Sequence, residues 1–143
     1  MKRCYLLILP MLFSCTNPII EEKVELDYSI ILESDFIRWE DLFEKEEKSY
    51  KVYFYSETCG YCKKLKEDIL SYYLLNKERL YFCNTDTNDV VLKSNDEYLI
   101  GCDNIEDFFI PGTPYLVSFI DNKVEEIYKG LKQIKEYIDK HRV

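Results

Sequence analysis

Two cysteines three positions apart, Cys59 and Cys62, constrain this chain more than any other feature, because of what flanks them. Residues 51–55 (KVYFY) are β-branched and aromatic, and they predict a central strand. After Cys59, the apolar positions Leu65, Ile69, Tyr72, Tyr73 and Leu75 suit a helix reaching Asn76. The pair thus stands where a strand gives way to a helix. Unpaired N–H groups and the dipole at a helix N-terminus favour a thiolate at Cys59. Cys62, one turn in, is placed to attack a mixed disulfide on Cys59, so Cys59 is the candidate nucleophile and Cys62 the resolving thiol. Gly60 is expected to let the backbone turn tightly, and Tyr61 to stand on an exposed rim beside the sulfur.

Such a pair is also half of many zinc sites. A zinc reading must recruit Cys83, Cys102 or His141, none of which forms a second close pair. A purely structural disulfide is the other alternative. The remaining chain is read by periodicity. Residues 28–32 (YSIIL) predict a short strand, and Ser34-Asp35 caps a helix carrying Phe36, Ile37, Trp39, Leu42 and Phe43. Residues 80–83 (LYFC) and 115–120 (YLVSFI) predict buried strands. Asp121-Asn122 predicts a hairpin turn with a return strand at 124–128. A short helix near 90–93 and a helical turn at 105–110 are expected in between. Leu131, Ile134, Tyr137 and Ile138 mark a last amphipathic helix. The order β-α-β-α-β-(α)-β-β-α implies an α/β fold, a mixed central sheet with helices on both faces.

On two motifs, residues 28–143 resemble a thioredoxin-fold thiol–disulfide oxidoreductase. One is the strand–Cys59-Gly60-Tyr61-Cys62–helix unit. The other is Gly112-Thr113-Pro114 just before a strand, where that family has its cis-proline loop. The resemblance implies a cis Pro114 packed against the cysteine pair, and a Thr113 backbone that pairs with a substrate strand. Tyr61, Thr113 and Pro114 are then the substrate-binding candidates, with no metal or organic cofactor. Thioredoxins carry Gly-Pro between the cysteines, Trp before them, and a buried Asp six residues before the first. Here Gly-Tyr, Thr58 and Tyr53 occupy those positions, and Tyr53 cannot act as a carboxylate base. Cys-Gly-Tyr-Cys and the Thr before the proline are similar to disulfide isomerases of the exported bacterial compartment. The chain has no room for their dimerisation domain and is expected to be a monomer. Its size also resembles that of small accessory thioredoxin-like proteins of Gram-positive bacteria.

The N-terminus sets the compartment. Lys2 and Arg3 precede ten apolar residues, 4–13, too few to span a bilayer, which takes about 20. The segment ending Leu12-Phe13-Ser14-Cys15 resembles a bacterial lipoprotein signal. That implies cleavage after Ser14 and acylation of Cys15, palmitate being a typical chain; an ordinary secretory signal is the alternative. Residues 1–14 are then a signal peptide, 15–27 a polar tether, and 28–143 the domain. The localisation implied is the extracytoplasmic face of the cell membrane, lipid-anchored. Loss of Lys2 and Arg3 takes the net charge from -8 to -10, so acyl chains must hold an acidic body at an anionic surface. With 27 acidic against 19 basic residues, a nucleic-acid partner is not expected.

Cys83 and Cys102 are candidates for a structural disulfide, whose loop of about 20 residues would contribute on the order of 3 kcal/mol. The alternative is a buried Cys83 and a free Cys102; a relay of electrons through them is a third. The polar run Asn84, Asp86, Asn88, Asp89 lacks the Gly and terminal acid of a calcium loop. The implied partners are exported proteins bearing thiols or disulfides, and a redox partner that the sequence does not identify. The alternative function is a non-catalytic thioredoxin-like lipoprotein holding exported peptides, as in bacteriocin maturation. A metallochaperone comes third.

Overall fold

The computed structural model describes residues 24–95 and 97–142. The signal segment, Cys15 and residues 16–23 of the tether lie outside the described residues. Residues 24–27 carry no regular secondary structure. Four strands, β1 (Ser49–Tyr55), β2 (Leu80–Asn84), β3 (Tyr115–Ile120) and β4 (Lys123–Lys129), form one sheet in the order β2-β1-β3-β4. β1 and β2 are parallel, joined through helix α1 (Gly60–Leu75). β3 runs antiparallel to β1, and β4 antiparallel to β3. Helix α2 (Gly130–His141) follows β4 directly. This is the expected α/β, thioredoxin-like arrangement.

β1 is the central strand, and residues 50–55 are buried on both faces, as a strand enclosed between two layers must be. Its alternation divides the interior. Tyr53 and Tyr55 face Cys62, Leu65, Ile69 and Tyr72 of α1 and Ile134, Tyr137 and Ile138 of α2. Tyr50, Val52 and Phe54 face a second core with Ile37, Trp39, Leu42, Leu99, Phe108 and Ile110. Both α-helices therefore cover one face. Among the described residues, the other is closed by the 3-10 turn Trp39–Asp41 and by irregular chain.

That thinner cover departs from the expected helices, for identifiable reasons. Residues 28–32 are not a strand: Asp27 caps a 3-10 turn at Tyr28–Ile30, accepting the Tyr28 N–H at 2.7 Å, and the Tyr28 ring stacks on Tyr55 at 4.3 Å. The helix expected from Ser34 is instead two 3-10 turns. Between them Phe36 bridges to Phe82, and Ile37 N–H donates to the Phe82 carbonyl at 2.9 Å, so the open edge of β2 takes up that backbone. Residues 90–93 are extended too, since Leu92 pairs with Ile110. The hairpin turn is as expected, with Asp121 and Asn122 at φ 50° and 57°, the mirror-image turn that fits strand twist. Gly130, at φ +66°, lets β4 pass into α2 and donates its N–H to the Pro114 carbonyl at 3.0 Å.

Cys83 and Cys102 do not pair; both are free thiols. Cys83 lies on β2 opposite Phe54. Cys102 flanks the outer edge of β4, its carbonyl accepting from Val124 N–H at 2.9 Å. Three strand spacings, about 14 Å, separate those edges, far beyond the reach of a disulfide. The Cys102 thiol instead approaches the Asn104 carbonyl at 3.3 Å.

Candidate functional site

Cys59 is the N-cap residue of α1, with extended φ and ψ of -73° and 117°. Its sulfur accepts the Cys62 N–H at 3.2 Å, one of the donors a helix start leaves unpaired. Cys62 lies one turn on and is 1% exposed, while Tyr61 between them is 60% exposed. Gly60 is the first helical residue, outside the left-handed region, and a Cβ there would meet nothing. The tight turn expected of Gly60 is therefore not what places the pair.

The two thiols are unlike. Burial of the Cys59 sulfur opposes its ionisation. Bonds from the Cys62 thiol, the Thr113 side chain and the N–H groups of Cys62 and Tyr61 outweigh this and hold its pKa below the ordinary value. Cys62 is pushed up to about 11, first by burial and then by its bond to Cys59. A nucleophile at the surface thus backs onto a protonated thiol in the core. The Thr113–Pro114 bond is cis, and Pro114 is buried. The Thr113 carbonyl stands 3.5 Å from the Cys59 sulfur, so the loop before β3 meets the pair.

Sequence reasoning missed the residues that brace the approach to Cys59. Asp86 accepts from the Ser56 hydroxyl at 2.8 Å and from the Glu57 N–H at 2.9 Å. Ser56 also shares a bond with the Thr58 hydroxyl at 2.9 Å, and accepts the Thr58 N–H at 3.2 Å. A signal was available: in a parallel β-α-β unit the loop after β2 ends beside the loop after β1, so the polar run 84–89 had to face residues 56–59. Beside Tyr61 an open groove of about 650 Å³ runs along the start of α2, lined by Leu131, Lys132 and Lys135.

The ligands a zinc site needs are not brought together. Cys83 belongs to the core on the opposite face of the sheet from Cys62. His141 is stacked on Tyr137 at 4.2 Å near the end of α2. Among the described residues, no group of three metal-ligating side chains occurs.

The Cys59–Cys62 pair on a thioredoxin-like sheet defines a candidate dithiol site. No family model and no curated protein matches the sequence. Among solved structures, the chain is similar to a single-site mutant of a thioredoxin from Halobacterium salinarum (20% identity, TM-score 0.47), covering 72% of this chain and 82% of that one. It is similar to Fasciola hepatica thioredoxin (15%, 0.46), covering 66% and 82%. Chlamydomonas reinhardtii thioredoxin f2 gives 12% and 0.47, covering 74% and 94%. The fold assignment rests on the strand order and helix placement described above.

Proposed function

We propose that the protein is a thiol–disulfide oxidoreductase acting on exported proteins, held at the extracytoplasmic face of the membrane by lipid on Cys15. The observation that carries the redox reading is the asymmetry of the pair, a nucleophile of lowered pKa at a helix N-terminus and a buried, protonated partner one turn behind. In the reducing direction, the Cys59 thiolate attacks a substrate disulfide and displaces one substrate thiolate. Cys62 loses its proton and attacks the Cys59 sulfur, releasing the second thiolate. Two electrons pass to the substrate and the pair becomes a disulfide; the oxidising direction is the reverse. Tyr61 and the loop at Thr113 and Pro114 would receive the substrate strand. Either direction needs a redox partner to reset the pair.

The test is the reduction potential of the pair in residues 16–143, measured against glutathione with each cysteine followed by mass. A value near the thioredoxin range, about -270 mV, marks a reductase, and one of about -120 to -180 mV an oxidant or isomerase. Failure to exchange at all overturns the enzymatic reading. Retention of a bound exported peptide by Cys59→Ser would then favour the binding-module alternative. Radiolabelled palmitate incorporation lost in Cys15→Ala, with the protein released from membranes, tests the anchor.

A further inference from the structure

Tyr53 lies in the middle of β1 with 0% exposure, and its hydroxyl is buried without a hydrogen-bond partner. A buried hydroxyl that bonds to nothing is worse than the phenylalanine that would fill the same space, so its retention calls for an explanation. Tyr53 sits in the same core cluster as Cys62, with Cys59 and Tyr28 packed against that cluster. The polar groups that act on its hydroxyl are those of Tyr28, Cys62 and Cys59, and no carboxylate is among them. Tyr28 in turn lines an open pocket with Asp27, Ser56, Glu57 and Lys63, so the Tyr53 phenol interacts both with the buried thiol and with a residue that reaches solvent.

We infer that the Tyr53 hydroxyl donates a hydrogen bond to the Cys62 sulfur when that sulfur carries negative charge, and so stabilises it as a leaving group. The inference rests on the proposed redox function. When a thiolate attacks the Cys59 sulfur of the oxidised pair, a new S–S bond forms to Cys59. The Cys59–Cys62 bond breaks, and its electron pair goes to Cys62. That sulfur is enclosed in the core and water does not reach it. The phenol keeps its proton, since burial holds Tyr53 far above its ordinary pKa, and it acts as a donor and not as a base. With the pair reduced, Cys62 is a neutral thiol and offers that hydroxyl only a weak acceptor.

The test is the rate at which glutathione attacks the oxidised protein at pH 7, read by stopped-flow quench and mass. Tyr53→Phe keeps the ring and removes the donor, and it should slow this step by about tenfold, the scale of a hydrogen bond to a charged group. Alkylation of Cys59 in the reduced protein should stay at the wild-type rate, because it does not need a charged Cys62. The thermal midpoint of the reduced protein should match or exceed wild type, because a buried hydroxyl with no partner is removed. Incorporation of 3-fluorotyrosine at position 53 keeps the shape and strengthens the donor, so its rate should match or exceed wild type. If Tyr53→Phe is attacked within twofold of the wild-type rate, or if the fluorinated protein slows as much as the Phe variant, the inference is overturned. A wild-type pair that never exchanges overturns the redox function itself, a distinct result.

Discussion

Single-hit alkylation of the reduced protein tests the asymmetry on which the functional reading stands. With Cys62 pushed up to about 11, about one molecule in ten thousand carries its thiolate at pH 7. Cys59 is held below its ordinary value of 9.0, so more than about one in a hundred carries the thiolate there. The less basic thiolate is the weaker nucleophile, by about tenfold over two pKa units at the usual Brønsted slope. The balance favours Cys59 by about tenfold or more from ionisation alone. Burial adds to this, because Cys62 is 1% exposed. A brief iodoacetamide pulse, with the 59–62 peptide fragmented to place the label, measures the ratio. Between pH 7 and pH 9 labelling of Cys62 should rise about a hundredfold, whereas that of Cys59 should rise less, because its lowered pKa places more of its titration at lower pH. Cys62 labelled as fast as Cys59 at pH 7 would refute the assignment of nucleophile and resolving thiol.

Away from the pair, Glu78 accepts from the Lys51 ammonium at 2.7 Å, from the Tyr72 hydroxyl at 2.8 Å and from the Tyr137 hydroxyl at 3.2 Å, tying both helices to β1. Lys51 is 6% exposed, so Glu78→Gln leaves a buried charge unpaired; urea denaturation should show a loss of about 2 kcal/mol, reduced from the fully buried case because Glu78 is half exposed. Lys51→Met with Glu78→Leu should recover most of that loss, and a loss under about 0.5 kcal/mol for Glu78→Gln alone would dismiss the knot. Burial raises the Glu78 pKa, but its bonds from Lys51 and Tyr72 prevail and hold it below the ordinary 4.5. Its contribution is therefore complete above pH 4.5 and lost as pH falls through the folded value, a slope Glu78→Gln should remove from acid-denaturation curves. Asp86→Ala should speed amide exchange at Glu57 by about tenfold, through loss of a charge-assisted bond, and unchanged exchange would show that Asp86 braces nothing. Oxidation by glutathione disulfide should yield one intramolecular disulfide, between Cys59 and Cys62. Cys83, raised to about 12 by burial, should label only on unfolding, and a mapped Cys83–Cys102 bridge would contradict the sheet order.

The sheet was legible because its strands are bounded by strong local signals. The central run 51–55 and the strand 115–120 are apolar almost throughout, and Asp121-Asn122 accepts the left-handed geometry that a two-residue hairpin requires. What failed is the segment before β1 and the connection before β3. Phe36, Ile37, Trp39 and Leu42 have helical spacing, and Ile37, Trp39 and Leu42 do reach the second core. Yet the backbone at 36–37 is used by the edge of β2, which a residue-by-residue periodicity does not contain. Cys83 and Cys102 failed for a related reason. Their separation in sequence suits a loop closure, while the strand order places them at opposite edges.

The candidate site divides along the same line. Cys59, Cys62, Thr113 and Pro114 could be read from short motifs because each owes its position to the element it begins or ends: the helix start for Cys59 and Cys62, the strand start for Thr113 and Pro114. Asp86 and Tyr53 owe theirs to the parallel pairing of β1 with β2 and to the face of β1 on which α1 packs. In sequence Tyr53 stands where thioredoxins carry a buried Asp, but only the packed structure shows its hydroxyl buried in the core cluster of Cys62 with no hydrogen-bond partner. The chemistry follows from that division. The helix start favours the Cys59 thiolate, whereas the core enclosing Cys62 disfavours charge there; the Ser56 backbone and the Thr113 side chain offset part of that cost, and a further donor from within the sheet would offset more. Tyr53, on the central strand and in the same core cluster as Cys62, carries such a hydroxyl, and removing it alone separates this role from packing.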